Sequence, residues 1–213
     1  MVEPLISKAA DALASAAFSL SAVRRELRAA RRQIGRAERR AAAATLSRRL
    51  AALPAFGRAT RIAAYWPTDG EIDPLPALTR AHAAGKACYL PVLCPLRDGY
   101  LHFAPWRPGA VLVPNRYGIP EPACPRRAWL APRMLDLVLL PLVGFDADGR
   151  RLGMGGGFYD RSFAFALRHA WRRPRLIGVA FAMQRIDRLP QRPWDVELDA
   201  VLTPQASYAL RAL

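Results

Sequence analysis

Between Leu135 and Asp160 the chain reads LDLVLLPLVGFDADGRRLGMGGGFYD, an unbroken apolar run followed by Gly144, Gly149, Gly153, Gly155, Gly156 and Gly157. A buried strand leading through such a loop into a helix is the layout a phosphate site needs. Glycine lets the backbone approach an anion and adopt positive φ. The free N–H groups at the start of the next helix, with the positive end of its dipole, then face the phosphate oxygens. Arg151 adds a planar, permanently charged donor, and Asp160, one turn into the helix, can hold a Mg²⁺ that neutralises the phosphates. A tight strand-to-helix turn would also use glycine. Three consecutive glycines with another at the alternate position, flanked by Arg and Asp, exceed what a turn requires. No GK[ST] follows, so the loop is not a Walker A motif, and it is not an early dinucleotide-type GxGxxG either.

A second cationic feature lies upstream. Arg24, Arg28 and Arg31 recur at helical spacing and so fall on neighbouring positions, able to present a basic stripe to a ligand; most other arginines of that stretch form a solvated face. Other reactive residue types form no constellation. His82, His102 and His169 lack ligand spacing, and Cys88, Cys94 and Cys124 show no CxxC pattern. The cysteines read as buried apolar residues in a reducing compartment, the cytoplasm.

The elements that must position these groups follow from periodicity. Val23–Leu53, Ala-rich and free of proline until Pro54, is expected as one long helix or two in series. Short apolar runs then alternate with helical segments. Strands are expected at Arg61–Trp66, Ala87–Leu93, Tyr100–Ala104, Leu135–Val143, Arg175–Phe181 and Leu198–Thr203, with helices at Leu75–Ala84, closed by Gly85, and at Phe158–Trp171. Proline-dense Pro105–Pro132 is expected as irregular loop with one short strand. The alternation predicts an α/β fold, a mostly parallel central sheet sandwiched by helices in a Rossmann-like three-layer arrangement, with a long N-terminal helix. Residues 1–22 are expected as an N-terminal extension and 23–213 as a single domain.

The net charge of +15 raises the question of nucleic acid. Residues 1–60 carry twelve basic and four acidic side chains, and only Lys8 and Lys86 among the basic residues of the chain are lysines. So Arg-rich and Ala-rich a composition fits genome-wide codon bias better than a selected RNA surface. A basic chain also favours anionic small molecules such as ATP or a polyglutamate tail. No apolar run reaches the roughly 18 residues of a membrane span, and Glu3 and Asp11 flank the Ala12–Leu20 stretch badly for a signal peptide.

The segment RLGMGGGFYDR, with LPLVGFDADG before it, closely resembles the signature of the 5-formyltetrahydrofolate cyclo-ligase (5,10-methenyltetrahydrofolate synthetase) family. The likeness continues through Arg24-Arg-Glu-Leu-Arg28, Tyr65-Trp-Pro-Thr-Asp-Gly-Glu71, Gly85-Lys86, Gly118-Ile-Pro-Glu-Pro122 and Leu189 to Thr203, in the family's order. It implies an enzyme that uses ATP and Mg²⁺ to convert 5-formyltetrahydrofolate, with or without a polyglutamate tail, into 5,10-methenyltetrahydrofolate, ADP and phosphate through an iminium phosphate. It implies ATP contacts from Arg24, Arg25, Glu26, Leu27 and Arg28, and from Arg151, Leu152, Gly153, Met154, Gly155, Gly156, Gly157, Phe158 and Tyr159. Folate contacts are implied for Trp66, Glu71 and Met154 to Phe158, metal contacts for Asp160 and Asp199, with Asp195 a rival for the second. Arg151 and Phe158 are the implied catalytic pair. Members often carry Lys where this chain has Arg24, and some carry basic residues at Met154–Gly156, so this site would lean harder on backbone donors. Each assignment has a plainer counterpart: Trp66 as core, Glu71 as the cap of the helix near Pro74, and Asp195 and Asp199 as partners of surface arginines. Two other functions are weighed, a nucleotide-binding regulator without cyclo-ligase activity and a basic RNA-binding module. A monomer acting on small molecules, without membrane or nucleic-acid partners, is expected.

Overall fold

The computed structural model describes residues 19–168 and 174–209. The apolar run near Leu137 does form the middle of a sheet. Strand β6 (Leu137–Pro141) lies between β1 (Arg61–Ala63) and β9 (Arg175–Val179), parallel to both, with Ile62 opposite Leu137 and Leu139 opposite Ile177. On the outer flanks β2 (Ala87–Leu93) runs parallel to β1 and β10 (Ala200–Leu202) parallel to β9. Antiparallel β3 (Leu101–Pro105) and β11 (Ser207–Ala209) close the two edges, giving the order β11-β10-β9-β6-β1-β2-β3. The last strand had no counterpart in the reading of the sequence.

Both faces of the sheet are covered, which is why β6 shows no polar alternation. Leu137 and Leu139 join Ile62, Leu90 and Ile177 beneath α2 (Arg36–Ala51), α3 (Pro54–Arg58) and α4 (Leu75–Ala83), where Leu46, Leu50, Phe56 and Leu78 are buried. Val138 and Leu140 turn the other way, onto Ala63, Phe103, Val201 and the Phe163 ring of α5 (Phe158–Phe163). Successive strand side chains therefore feed two separate cores.

Three expectations need correction. The N-terminal helical stretch takes the second of its two expected forms, two helices in series, so the long N-terminal helix expected of the fold is not formed. The first, α1 (Leu20–Arg32), stops at Gln33, and Gly35 is extended (φ −65°, ψ 156°) before α2 begins. Glycine's freedom makes it a poor helix-interior residue and a good place to turn. The first helix also starts at Leu20, ahead of the expected boundary at residue 23. The helix after the glycine loop is α-helical only to Phe163 and then tightens to a 3₁₀ turn over Ala164–Leu167; its expected end at Trp171 lies outside the described residues, as do His169 and the first 18 residues. The proline-dense stretch holds an antiparallel hairpin, β4 (Leu112–Pro114) with β5 (Pro120–Pro122), not a single short strand.

What positions the site is the order of connection. From β1 the chain moves outward to β2 and β3, then returns across to β6 and onward to β9 and β10. The sheet thus reverses direction of growth between β1 and β6, and ligands of open α/β sheets bind at the carboxyl ends of strands at such a point.

Candidate active site

A cleft of about 970 Å³ opens where β1 and β6 end. One wall is the segment after β1, Tyr65 to Glu71. The opposite wall is the glycine loop, which leaves β6 through a small hairpin of β7 (Gly144–Phe145) and β8 (Arg151–Leu152) and enters α5. Helix α1 lies across one end, and the β4–β5 hairpin and the Arg192–Asp195 loop complete the rim. Arg24, Arg28, Trp66, Glu71, Asp160, Asp195 and every residue from Arg151 to Tyr159 line this one space.

The glycines divide by task. Gly144 makes close packing: a Cβ there would lie 2.8 Å from Ile186 Cδ1 and 3.0 Å from Leu27 Cδ1. Gly149 turns the β7–β8 hairpin at φ 78°, around buried Asp146, whose carboxylate accepts from the backbone N–H of Asp148, Arg150 and Leu189. Only the later glycines face the cleft. Gly155 (φ 101°) and Gly157 (φ 62°) hold conformations that side chains resist, and Gly157 is the cap of α5. The N–H groups of Gly153 to Gly157 donate to no described residue. Arg161, not singled out beforehand, keeps the loop in shape by donating to Gly99 O at 3.0 Å and to Gly156 O, beneath the Phe158 ring. Because α5 is short, these loop donors and the rim arginines count for more than a long helix dipole.

Helix α1 does not present its segment whole. Arg24, Leu27, Arg28 and Arg31 share the inward face, while Arg25 and Glu26 are exposed and line no part of the cleft. Leu27 seats the helix on Leu152, Ile186 and Leu189. Arg24 Nε donates to Gly153 O at 2.7 Å, closing the helix over the glycine loop. Partial burial, and then the Arg192 guanidinium facing it, pull Arg24 below its ordinary value. Arg31 is not part of a free stripe. It is 1% exposed and donates to Asp69 O, Asp69 Oδ2 and Leu142 O. Arg28 and Arg32 also pair with Asp69, a non-glycine residue held at φ 51°. Burial opposes the Asp69 charge, but hydrogen bonds from Arg28 and Arg32 hold its carboxyl below the usual range.

Glu71 is not the helix cap. At the start of α4 it is Asp73 whose carboxylate accepts from Leu75 N, at 2.8 Å. Glu71 Oε2 accepts from Thr68 N at 3.0 Å, and Oε1 lies 3.8 Å from Arg31 Nη1 with its side chain 7% exposed. Burial pushes the Glu71 carboxyl above the usual carboxylate range. Trp66 packs partly on the core and also lines the cleft. Tyr65 and Tyr159 face the same floor, each raised first by burial and then by the Glu71 charge.

Arg151 and Asp160 meet one another. Arg151 Nη2 donates to Asp160 Oδ1 at 2.5 Å, its Nη1 donates to Val196 O, and Val196 N donates to the same Oδ1. Arg151 therefore braces β8, α5 and the following loop. Asp199, expected on the metal side, lies elsewhere: it precedes β10 at the far end of the sheet, fully buried, accepting from Arg175 Nη1 and Leu176 N. Of the two rivals it is Asp195 that reaches the cleft. No group of three or more His, Cys, Asp or Glu residues placed to hold a metal ion occurs among the described residues. Two cleft carboxylates, Asp160 and Asp195, suit a Mg²⁺ carried on a nucleotide's phosphates rather than a protein cage. Cys88, buried with its thiol pushed up to about 11, is no nucleophile.

The hairpin residues were missed in the sequence. Glu121 Oε1 accepts from Leu93 N and Asn115 Nδ2, tying the hairpin to the end of β2, and Tyr117 meets Phe158 edge-on at 5.8 Å. The quoted Gly118-to-Pro122 motif was the available signal, but it carried no role until the hairpin placed it. No helix among the described residues is long and apolar enough to cross a membrane.

Compared with known proteins, residues 18–204 match the 5-formyltetrahydrofolate cyclo-ligase family. The 5-formyltetrahydrofolate cyclo-ligase of Escherichia coli K12 is 41% identical over 156 residues, 73% of this chain and 84% of that one. The protein of the same name from Haemophilus influenzae is 38% identical over 147 residues, 68% and 76% of the two chains. Among solved structures, Aquifex aeolicus 5,10-methenyltetrahydrofolate synthetase superposes with a TM-score of 0.74 at 29% identity, covering 90% of this chain and 93% of that one.

Proposed function

The chain belongs to the 5-formyltetrahydrofolate cyclo-ligase family, and on that premise we propose that it converts 5-formyltetrahydrofolate and MgATP into 5,10-methenyltetrahydrofolate, ADP and phosphate within the cleft between β1 and β6. The observation that carries this reading is the meeting of two unlike walls in one space. A glycine loop with unclaimed N–H donors and arginines faces a floor built from Trp66, Tyr65 and Glu71.

A formamide oxygen is a poor leaving group, so the ring closure needs activation. In the proposed sequence the formyl oxygen attacks the γ-phosphorus of ATP, the bond to the β-phosphate oxygen breaks, and ADP departs. The formyl carbon is then an iminium phosphate. N10 adds to that carbon, its proton is lost, and phosphate leaves carrying the former formyl oxygen. The protein's part is positioning and charge stabilisation rather than nucleophilic attack. Loop N–H groups from Gly153 to Gly157, with Arg24 and Arg28, hold the triphosphate. Trp66 and Phe158 flank the pterin, and Glu71 accepts its N–H groups. Arg151 keeps the loop and α5 in register, and α1 over Gly153 excludes water. Asp160 and Asp195 would hold Mg²⁺, which neutralises phosphate charge when bound with the nucleotide.

The test is to mix the purified chain with 5-formyltetrahydrofolate and MgATP and follow the near-ultraviolet absorbance of the methenyl product. A rise that requires both ATP and Mg²⁺ is expected. A flat trace from folded protein that still binds ATP would point to another acceptor.

A further inference from the structure

The buried Arg31 side chain is unused by the chemistry above, yet it sits directly behind the floor of the cleft. Every arm of its guanidinium is committed. Nε donates to Asp69 O at 3.0 Å, Nη2 to Asp69 Oδ2 at 3.0 Å, and Nη1 to Leu142 O at 3.2 Å just beyond β6. One side chain from α1 thus ties the turn after β1 to the end of β6, the two strands that flank the switch point. So held, Nη1 lies 3.8 Å from Glu71 Oε1, outside hydrogen-bond reach but well within electrostatic reach.

Glu71 is in the opposite position. Its Oε2 is occupied by Thr68, while Oε1 faces Arg31, and the residue lines the cleft. The charged groups around it are few: Arg31 from α1 is the cation, and Asp69 from the same turn opposes it. Tyr65 beyond β1 and Tyr159 from α5 are the titratable neighbours on the other sides, with Asp73 acting on Tyr65 and Arg151 on Tyr159. A carboxyl so enclosed takes up a proton unless a fixed positive charge opposes it. Protonated, it would lose an acceptor for paired ring N–H groups.

We propose that Arg31 is a positioning residue for folate recognition, fixed by Asp69 and Leu142 so that its charge keeps Glu71 an ionised acceptor at the cleft floor. The inference rests on the reading of Glu71 as a folate contact. Its chemistry is specific: Arg31 touches no substrate and acts only through Glu71.

A double-mutant cycle of R31Q and E71Q in the full chain tests it, reading kcat/KM for 5-formyltetrahydrofolate at saturating MgATP from about pH 6 to pH 9, with circular dichroism as the check on folding. Wild type should lose kcat/KM on an acidic limb. In R31Q that limb moves to higher pH, leaving about a tenfold deficit at the acid end that closes at the alkaline end. In the E71Q background the R31Q change should add little. A pH-independent loss in R31Q, or a loss that persists in full beside E71Q, makes Arg31 merely structural and overturns the proposal. If R31Q fails to fold, the double variant decides. Recovery of the fold there shows that the unpaired Glu71 charge was at fault, whereas continued unfolding assigns Arg31 to Asp69 and Leu142 alone. An unchanged KM and limb in E71Q itself would instead remove Glu71 from folate binding, a separate failure.

Discussion

At the scale of single residues the site is a set of paired commitments, and the pairs were hard to see in one dimension. Arg151 and Asp160, nine positions apart and each expected to face ligand, both line the cleft and also pair with each other, with Val196 closing the group. Asp160 Oδ1 is thereby occupied, so any metal contact must use its other oxygen. Replacing Asp160 with Asn keeps the hydrogen bond to Arg151 and removes the charge. We expect the Mg²⁺ concentration for half-maximal rate to rise about tenfold, read from a metal titration at fixed ATP. An unaltered titration would take Asp160 out of the metal site. Residue types were informative where one type suffices: glycine at Gly155 and Gly157 signals the positive φ that both adopt. They misled for Asp199, because an acidic residue beside a strand reads the same whether it faces a ligand or, as here, Arg175 and a backbone N–H.

At the scale of elements, α1 decides how the cleft is closed. Its inward face was legible from helical spacing, since Arg24, Leu27, Arg28 and Arg31 stand at i, i+3, i+4 and i+7. The same spacing sends Arg25 and Glu26 outward, and naming the segment whole hid that distinction. What spacing could not reveal was the receiving surface. Asp69, in a turn 38 residues beyond Arg31, gathers three arginines, and Gly144 gives Leu27 room to approach β7. The Gly144→Ala substitution should therefore act through α1. Its new methyl would crowd Ile186 and Leu27, costing about 1–3 kcal/mol of stability. Because α1 carries Arg24 onto Gly153, KM for ATP should rise more than KM for 5-formyltetrahydrofolate. Equal changes in both, or none with a lowered melting temperature, would make Gly144 a packing position only. The β4–β5 hairpin escaped notice for a different reason. Its strands begin or end on prolines, which cannot donate to a ladder and so suppress the usual signs of a strand.

At the scale of the whole molecule, the order of strands places everything else. The parallel core was legible because a strand buried on both faces must be apolar without alternation, as Leu137 to Leu140 are. The edges were less so: β11 pairs antiparallel with β10 through a contact that no local pattern announces. The reversal between β1 and β6 brings the segment from Tyr65 to Glu71 opposite a glycine loop about 85 residues later, and so sets an aromatic and acidic wall against a glycine-rich one. The functional claim is that both substrates meet in that one cleft and that the formyl oxygen is lost to phosphate. The most direct measurement uses 5-formyltetrahydrofolate labelled with ¹⁸O in the formyl group, a single enzyme preparation and MgATP, with the released phosphate analysed by mass. One labelled oxygen is expected in the inorganic phosphate for each methenyl product formed. Unlabelled phosphate, with the isotope recovered in water, would contradict it by showing that ATP cleavage and ring closure do not share that oxygen.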